Sequence, residues 1–431
     1  MRISWKCRLA VVAVALAAAS RALAAPGDLE VRCGRLIDGL APAARRDVTV
    51  SIRGGRIAAV GPAAAKPDLD LSGFTCLPGL IDLHTHLTDQ PGDTADLRVY
   101  YTRSDVETQA IASRNALATL HAGFTSVRNV GAYLAWSDKT LRDTIDSGRT
   151  LGPRMQVVGF YITIPGGGGD LVIPGVDEAT IPTRLRGGIA RGPEAFRKRA
   201  EEAVAGGADA LKVIASGAVL AYGGVPGARE MTREEIQAVV EVAHRAGKRV
   251  AAHAHGADSV RDAITAGADT IEHASLIDMA GILAARDHGA GLVMDIYNGS
   301  YIDTEGRKQK WPEEFLRKNL ETTEIQRRNF TRAHDAGVVL GYGTDAAVLP
   351  HGWNARQFAI MVERGMTPME AIQSATSVAA RLMGWEDRVG AIAVGRYGDL
   401  IAVRKDPLRD VTALEVVDVV VKGGTVVKRN R

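Results

Sequence analysis

The sequence predicts an α/β protein: a (β/α)8 barrel with a small discontinuous β-sandwich domain built from both chain ends. Three observations predict it. Eight short apolar runs alternate with helix-like segments through the middle of the chain. Those helical segments end on a recurring glycine, the residue expected at a left-handed helix cap. The two chain ends instead show short alternating strands punctuated by Gly-Gly turns.

Length and composition allow this. The chain has 431 residues, 46% hydrophobic, enough for one large barrel and an extra module. The net charge is only +3 and no basic run stands out, so nucleic acid is not implied as a partner. Aromatic residues are 5% against 47 glycines, which suits many tight strand–helix turns.

Residues 1–24 read as a secretory signal peptide. Arg2, Lys6 and Arg8 precede the apolar stretch Leu9 to Ala19, and Ala22-Leu23-Ala24 forms a small-x-small cleavage site. The apolar stretch is too short to span a bilayer in the mature protein. The expected location is periplasmic or secreted. Cys33 and Cys76 fall in predicted strands. Export permits a disulfide, but cysteines in such strands are expected to act as buried apolar residues.

Residues 25–76 form the first part of the β domain, with alternation in Leu29-Glu30-Val31-Arg32 and Val48 to Ile52 and a hairpin at Gly54-Gly55. The barrel is expected over 77–388. Its runs are Leu80 to Leu83, Thr125 to Val130, Met155 to Phe160, Ala210 to Ala215, Arg249 to Ala254, Thr270 to His273, Gly291 to Ile296 and Val338 to Gly341. Residues 389–431 complete the β domain, with strands near Leu400 and Val416 to Val421 and a turn at Gly423-Gly424.

This rhythm sorts the ten histidines. His121, His244, His288 and His334 precede capping glycines, where the helix dipole favours them, and read as structural. The other six, among them His351, sit at or beyond strand C-termini, the end of a barrel that carries chemistry. His84 and His86 end the first run. Residues two apart in a strand face one way, so the pair makes half of a metal site. The fourth run carries Lys212 within an apolar stretch, where an ammonium is costly unless paired or neutralised. The fifth ends in His253-Ala254-His255, the sixth in Glu272-His273 and the eighth in Gly343-Thr344-Asp345.

In order and strand assignment, His84-x-His86, Lys212, His253, His273 and Asp345 resemble the amidohydrolase superfamily. The stretches around Lys212, His253-Ala254-His255-Gly256, Ala266 to His273 and Gly343 to Asp345 are similar to the imidazolonepropionase-like branch that contains Xaa-Pro dipeptidases. They also resemble bacterial members that split ochratoxin A. The resemblance implies two zinc or other divalent ions bridged by N6-carboxylysine at Lys212. It implies that His84, His86 and Asp345 hold one ion and His253 and His273 the other. Either His253 or His255 satisfies the strand geometry; the family position selects His253. Asp345 is then ligand and proton shuttle.

The implied reaction is cleavage of an amide to release a C-terminal amino acid from a dipeptide or N-acyl amino acid. The alternatives are lactones, cyclic amides or phosphotriesters at the same centre, or an exported metal-binding scaffold without turnover. Many relatives carry Gly-Gly-His-Gly after the third run, with the histidine near the substrate carbonyl. Here the segment is Pro165-Gly166-Gly167-Gly168-Gly169-Asp170, read as a flexible loop with room for a bulky acyl group. Tyr222 or His255 is the candidate replacement donor, and Gly168 a substrate contact. Arg128, Arg154, Arg184 and Arg186 are candidates for the substrate carboxylate. A homo-oligomer is expected from the resemblance.

Overall fold

The computed structural model describes residues 27–430; the expected signal peptide lies outside them. Four strands open the chain: β1 (Leu29–Leu36), β2 (Arg45–Arg53), β3 (Arg56–Pro62) and β4 (Leu69–Pro78). Eight short strands follow: β5 (Leu80–Thr85), β6 (Phe124–Asn129), β7 (Arg154–Val157), β8 (Ala210–Ile214), β9 (Arg249–Gly256), β10 (Thr270–Leu276), β11 (Gly291–Val293) and β12 (Leu340–Gly341). The chain ends with β13 (Leu400–Val403), β14 (Val419–Lys422) and β15 (Thr425–Arg429).

The two chain ends share one seven-stranded mixed sheet, ordered β15-β14-β13-β4-β1-β2-β3. Strand β4 is the seam: it pairs parallel with β1 and antiparallel with β13. Val31, Val50, Ile52, Leu71, Leu400 and Val421 form the buried core of this sheet. One expectation is corrected here. Cys33 and Cys76 are not separate buried thiols but a disulfide, with Cα atoms 5.9 Å apart. Parallel pairing of β1 with β4, and the irregular register after Cys33, set the two residues side by side. That register cannot be read from either strand alone.

All eight predicted runs form parallel strands, in two arcs, β5-β6-β7 and β12-β11-β10-β9-β8. Backbone contacts join the arcs at both ends. Ile162 N–H donates to Lys212 O over 2.9 Å just beyond β7, and Leu83 N–H donates to Tyr342 O over 2.9 Å between β5 and the end of β12. This closure is consistent with a (β/α)8 barrel, in which strand C-termini converge on one face. Helix starts are specified locally. Ser104 with Glu107 and Thr232 with Glu235 form reciprocal capping boxes at Asp105–His121 and Arg233–Arg245. His121, His244, His288 and His334 all fall in last helical turns, as expected. No helix of the described residues is long and apolar enough to cross a membrane.

Candidate active site

The strand C-termini bring the predicted ligands together. His84 Nε2 lies 3.5 Å and His86 Nε2 3.2 Å from Asp345 Oδ1. His253, His255 and His273 form a second group close enough to share one ion, and His273, Asp295 and Asp345 form a third. The groups adjoin: the His84 and His273 rings are 4.8 Å apart between centroids.

Four of the five imidazoles, all but His253, are oriented by a partner on Nδ1. His84 Nδ1 meets Glu272 Oε2 at 2.8 Å, His86 Nδ1 meets Gly131 O at 3.0 Å, His273 Nδ1 meets Asp295 Oδ1 at 2.9 Å, and His255 Nδ1 meets Ser275 Oγ at 2.9 Å. Such partners fix the tautomer and aim the other nitrogen inward, as metal-ligating histidines require. The backbone is bent to the same end. His273 and Asp345 have φ of +67° and +55°, a region costly for side chains with a Cβ. Asp345 is held there by its N–H bond to His84 O at 2.8 Å.

Lys212 is 2% exposed, and its Nζ has no hydrogen-bond partner among the described residues. Burial, partly offset by Glu272, brings its ammonium down to about 8. His253 Nε2 is also buried without a partner, and burial holds this ring well below the usual histidine range. Burial lowers His84 to about 4 and His255 to about 3. The neutral imidazoles of His84, His253 and His255, a carboxylate and two orphaned nitrogens fit a divalent metal pair, which accepts only deprotonated ligands. His253 and His255 both lie within reach of an ion shared with His273.

A cavity of about 130 Å³ opens over these groups, also lined by Tyr100, Tyr133, Tyr161, Gly168 and Asn298. His255 and Gly168 are among the residues that line it. Other expectations are corrected. Tyr222 does not line the cavity; it packs on Phe315, and its hydroxyl reaches Ala95 O. Arg128 is fully buried below the site and paired with Glu272. Arg154 pairs with Asp399 and covers Tyr397, Arg184 pairs with Asp105, and Arg186 pairs with Asp170. No arginine lines the cavity among the described residues. His351 stays outside it, near Asp89 O and Thr119.

In the glycine loop Gly166 is open to its surroundings, whereas Gly167, Gly168 and Gly169 pack against neighbours. A Cβ at Gly167 would come within 2.7 Å of Glu230 Oε2, and one at Gly168 within 3.0 Å of Ala218 Cβ. Asp295, Asn298 and Tyr161 escaped the sequence reading. Asp295 had a usable signal, a carboxylate inside the seventh run.

Residues 75–427 match the amidohydrolase family. The chain belongs to the amidohydrolase family. It is a hydrolase, and its histidine-rich groups are those of a metal-binding amidohydrolase. This amidohydrolase is 29% identical over 374 residues to the ochratoxinase of Aspergillus niger, covering 82% of this chain and 75% of that one. It is 26% identical over 404 residues to the imidazolonepropionase of Cupriavidus metallidurans, covering 83% and 84%. Among solved structures it is similar to a Xaa-Pro dipeptidase with methionine bound in its active site. The TM-score is 0.86 and the identity 33%, over 93% of this chain and 100% of that one. The crystal structure of A. niger ochratoxinase matches with a TM-score of 0.81 and 26% identity, over 93% and 95%.

Proposed function

We propose that this amidohydrolase is a binuclear zinc enzyme that releases a C-terminal amino acid from dipeptides or N-acyl amino acids, ochratoxin A among them. The observation that carries the reading is the pair of orphaned nitrogens, Lys212 Nζ and His253 Nε2, buried among inward-facing imidazoles. His84, His86 and Asp345 would hold one ion, and His253 and His273 the other. Lys212 would bridge them as a carbamate. Its neutral Nζ adds to carbon dioxide and releases a proton, turning a misplaced cation into an anion. Bound there, the two ions would supply an acidified water and a polarised carbonyl.

The chain's own residues do the rest. Asp345 takes a proton from the attacking water and passes it to the leaving nitrogen. His255, oriented by Ser275, contacts the substrate from the cavity wall. The ochratoxinase and Xaa-Pro dipeptidase similarities support an amide next to a carboxylate as the scissile group. A second reading has one observation in its favour. With no arginine lining the cavity, uncharged lactones, cyclic amides or phosphotriesters are the alternative substrates.

The same proposal includes removal of residues 1–24 on export to the periplasm or beyond, a β-sandwich domain of residues 25–76 with 389–431 around a barrel of 77–388, and a homo-oligomer. The Cys33–Cys76 disulfide supports an oxidising compartment. The test is mass spectrometry of zinc-supplemented mature protein with dipeptides, N-acyl amino acids and ochratoxin A. Release of a C-terminal amino acid is expected. No release, with turnover of lactones or phosphotriesters, replaces this reading by the second.

A further inference from the structure

Glycine holds the position that a histidine would occupy in the glycine loop. A side chain at Gly168 would start 3.0 Å from Ala218 Cβ, and of the two alternative donors, Tyr222 does not line the cavity whereas His255 does. A different hydroxyl stands beside the metal ligands. Tyr161, just beyond β7, lines the cavity, and its oxygen lies 3.1 Å from His86 Nδ1.

The direction of that hydrogen bond decides what Tyr161 can do. His86 Nδ1 is also 3.0 Å from Gly131 O, and a carbonyl oxygen only accepts. Nδ1 therefore carries the hydrogen, and the Tyr161 oxygen accepts a share of the same N–H. The phenolic hydrogen is then left over. Tyr161 has no second hydrogen-bond partner among the described residues. A donor without an acceptor, in a cavity wall next to a metal ligand, is placed for the substrate.

The ring is held firmly in that pose. The Tyr133 ring meets it edge-on at 5.4 Å. On its other side is Gly131, whose φ is +146°; a Cβ there would fall 1.9 Å from Tyr161 Cε1.

We propose that Tyr161 is a catalytic residue, whose hydroxyl donates to the carbonyl oxygen of the scissile bond as negative charge develops there. It does so from a different chain position than the histidine of the Gly-Gly-His-Gly relatives. The assignment rests on the amide-hydrolase reading above. A fixed donor aimed at a developing oxyanion contributes about 10²–10³ in kcat.

The test uses zinc-loaded parent and Tyr161→Phe proteins. Calorimetry measures binding of N-(methylphosphonyl)-L-phenylalanine, whose tetrahedral phosphoryl oxygens mimic the oxyanion, and of the product L-phenylalanine. Kinetics follow hydrolysis of N-acetyl-L-phenylalanine, and metal content is measured on the same samples. In Tyr161→Phe, affinity for the phosphonyl compound and kcat are each expected to fall about 100-fold. Product affinity and KM are expected to stay within about threefold, with metal content unchanged. Equal loss of both ligands, loss of metal, or the same selective loss in Tyr133→Phe instead would overturn the assignment. A parent enzyme that neither binds the phosphonyl compound nor releases phenylalanine refutes the amide-hydrolase reading, and the assignment falls with it.

Discussion

Arg128 and Glu272 form an ion pair of 2.7 Å in which neither side chain has exposed surface. The other Glu272 oxygen accepts from His84 Nδ1 at 2.8 Å. Burial would raise the Glu272 carboxyl, but Arg128 and His84 outweigh it and hold the group below the usual carboxylate range. The pair is therefore a charged brace under the first metal ligand, which is why Arg128 cannot serve a substrate carboxylate.

Removing half of this brace is expected to be costly. Arg128→Met leaves a buried carboxylate without its cation and should destabilise the fold by about 3–5 kcal/mol. Glu272→Gln should weaken metal binding by about 10–100-fold, because His84 loses its charged partner. Urea unfolding checks the first, and competitive metal titration the second.

Lys212→Ala removes the proposed bridge. It should lose activity to the detection limit together with bound metal, measured by turnover and elemental mass spectrometry. Full turnover in this variant would sink the bridging assignment.

The Cys33–Cys76 crosslink spans 43 residues. Constraint of the unfolded chain by such a loop is worth about 2–4 kcal/mol. Cys33→Ala/Cys76→Ala should lower the urea midpoint accordingly, and a reductant should reproduce the loss in the parent but not in the variant.

Glu230 sets a pH dependence. Burial raises its carboxyl to about 7 from an ordinary 4.5, although its Oε2 accepts from Gly168 N–H at 2.8 Å. The folded state holds the proton more tightly than the unfolded chain. This group's contribution to stability is thus full below pH 4.5 and declines as pH rises towards 7. Glu230→Gln keeps an acceptor for Gly168 and removes the titration. Its stability relative to the parent should rise between pH 5 and pH 8, read from unfolding midpoints.

Tyr222→Phe separates the sequence expectation from the structure. Its hydroxyl is outside the cavity, so kcat/KM should stay within about twofold of the parent.

The strand runs and the histidines at their ends were legible because their signals are local. Periodicity marks a strand, glycine marks a helix end, and a histidine at a strand's end in a barrel already faces the mouth. The arginines were not legible. Arg128 and Arg154 sit in strands like any candidate clamp, and only their partners Glu272 and Asp399, 144 and 245 residues away, show that they are engaged. Tyr161 was missed because an unpaired hydroxyl has no sequence signature.

By itself, then, the sequence determined the alternation of strands and helices, the identity and order of the proposed metal ligands, and the family. The alternation follows from short-range period, which neighbouring residues carry; the ligand roles and the family followed from the motif resemblance. Tertiary structure alone decided that Cys33 meets Cys76, that Arg128 braces rather than binds, that Tyr222 stays out of the cavity, and that Tyr161 stands beside His86 in its wall. Each depends on strand register or barrel closure, which bring together groups far apart in the chain and leave each polar atom either paired or free.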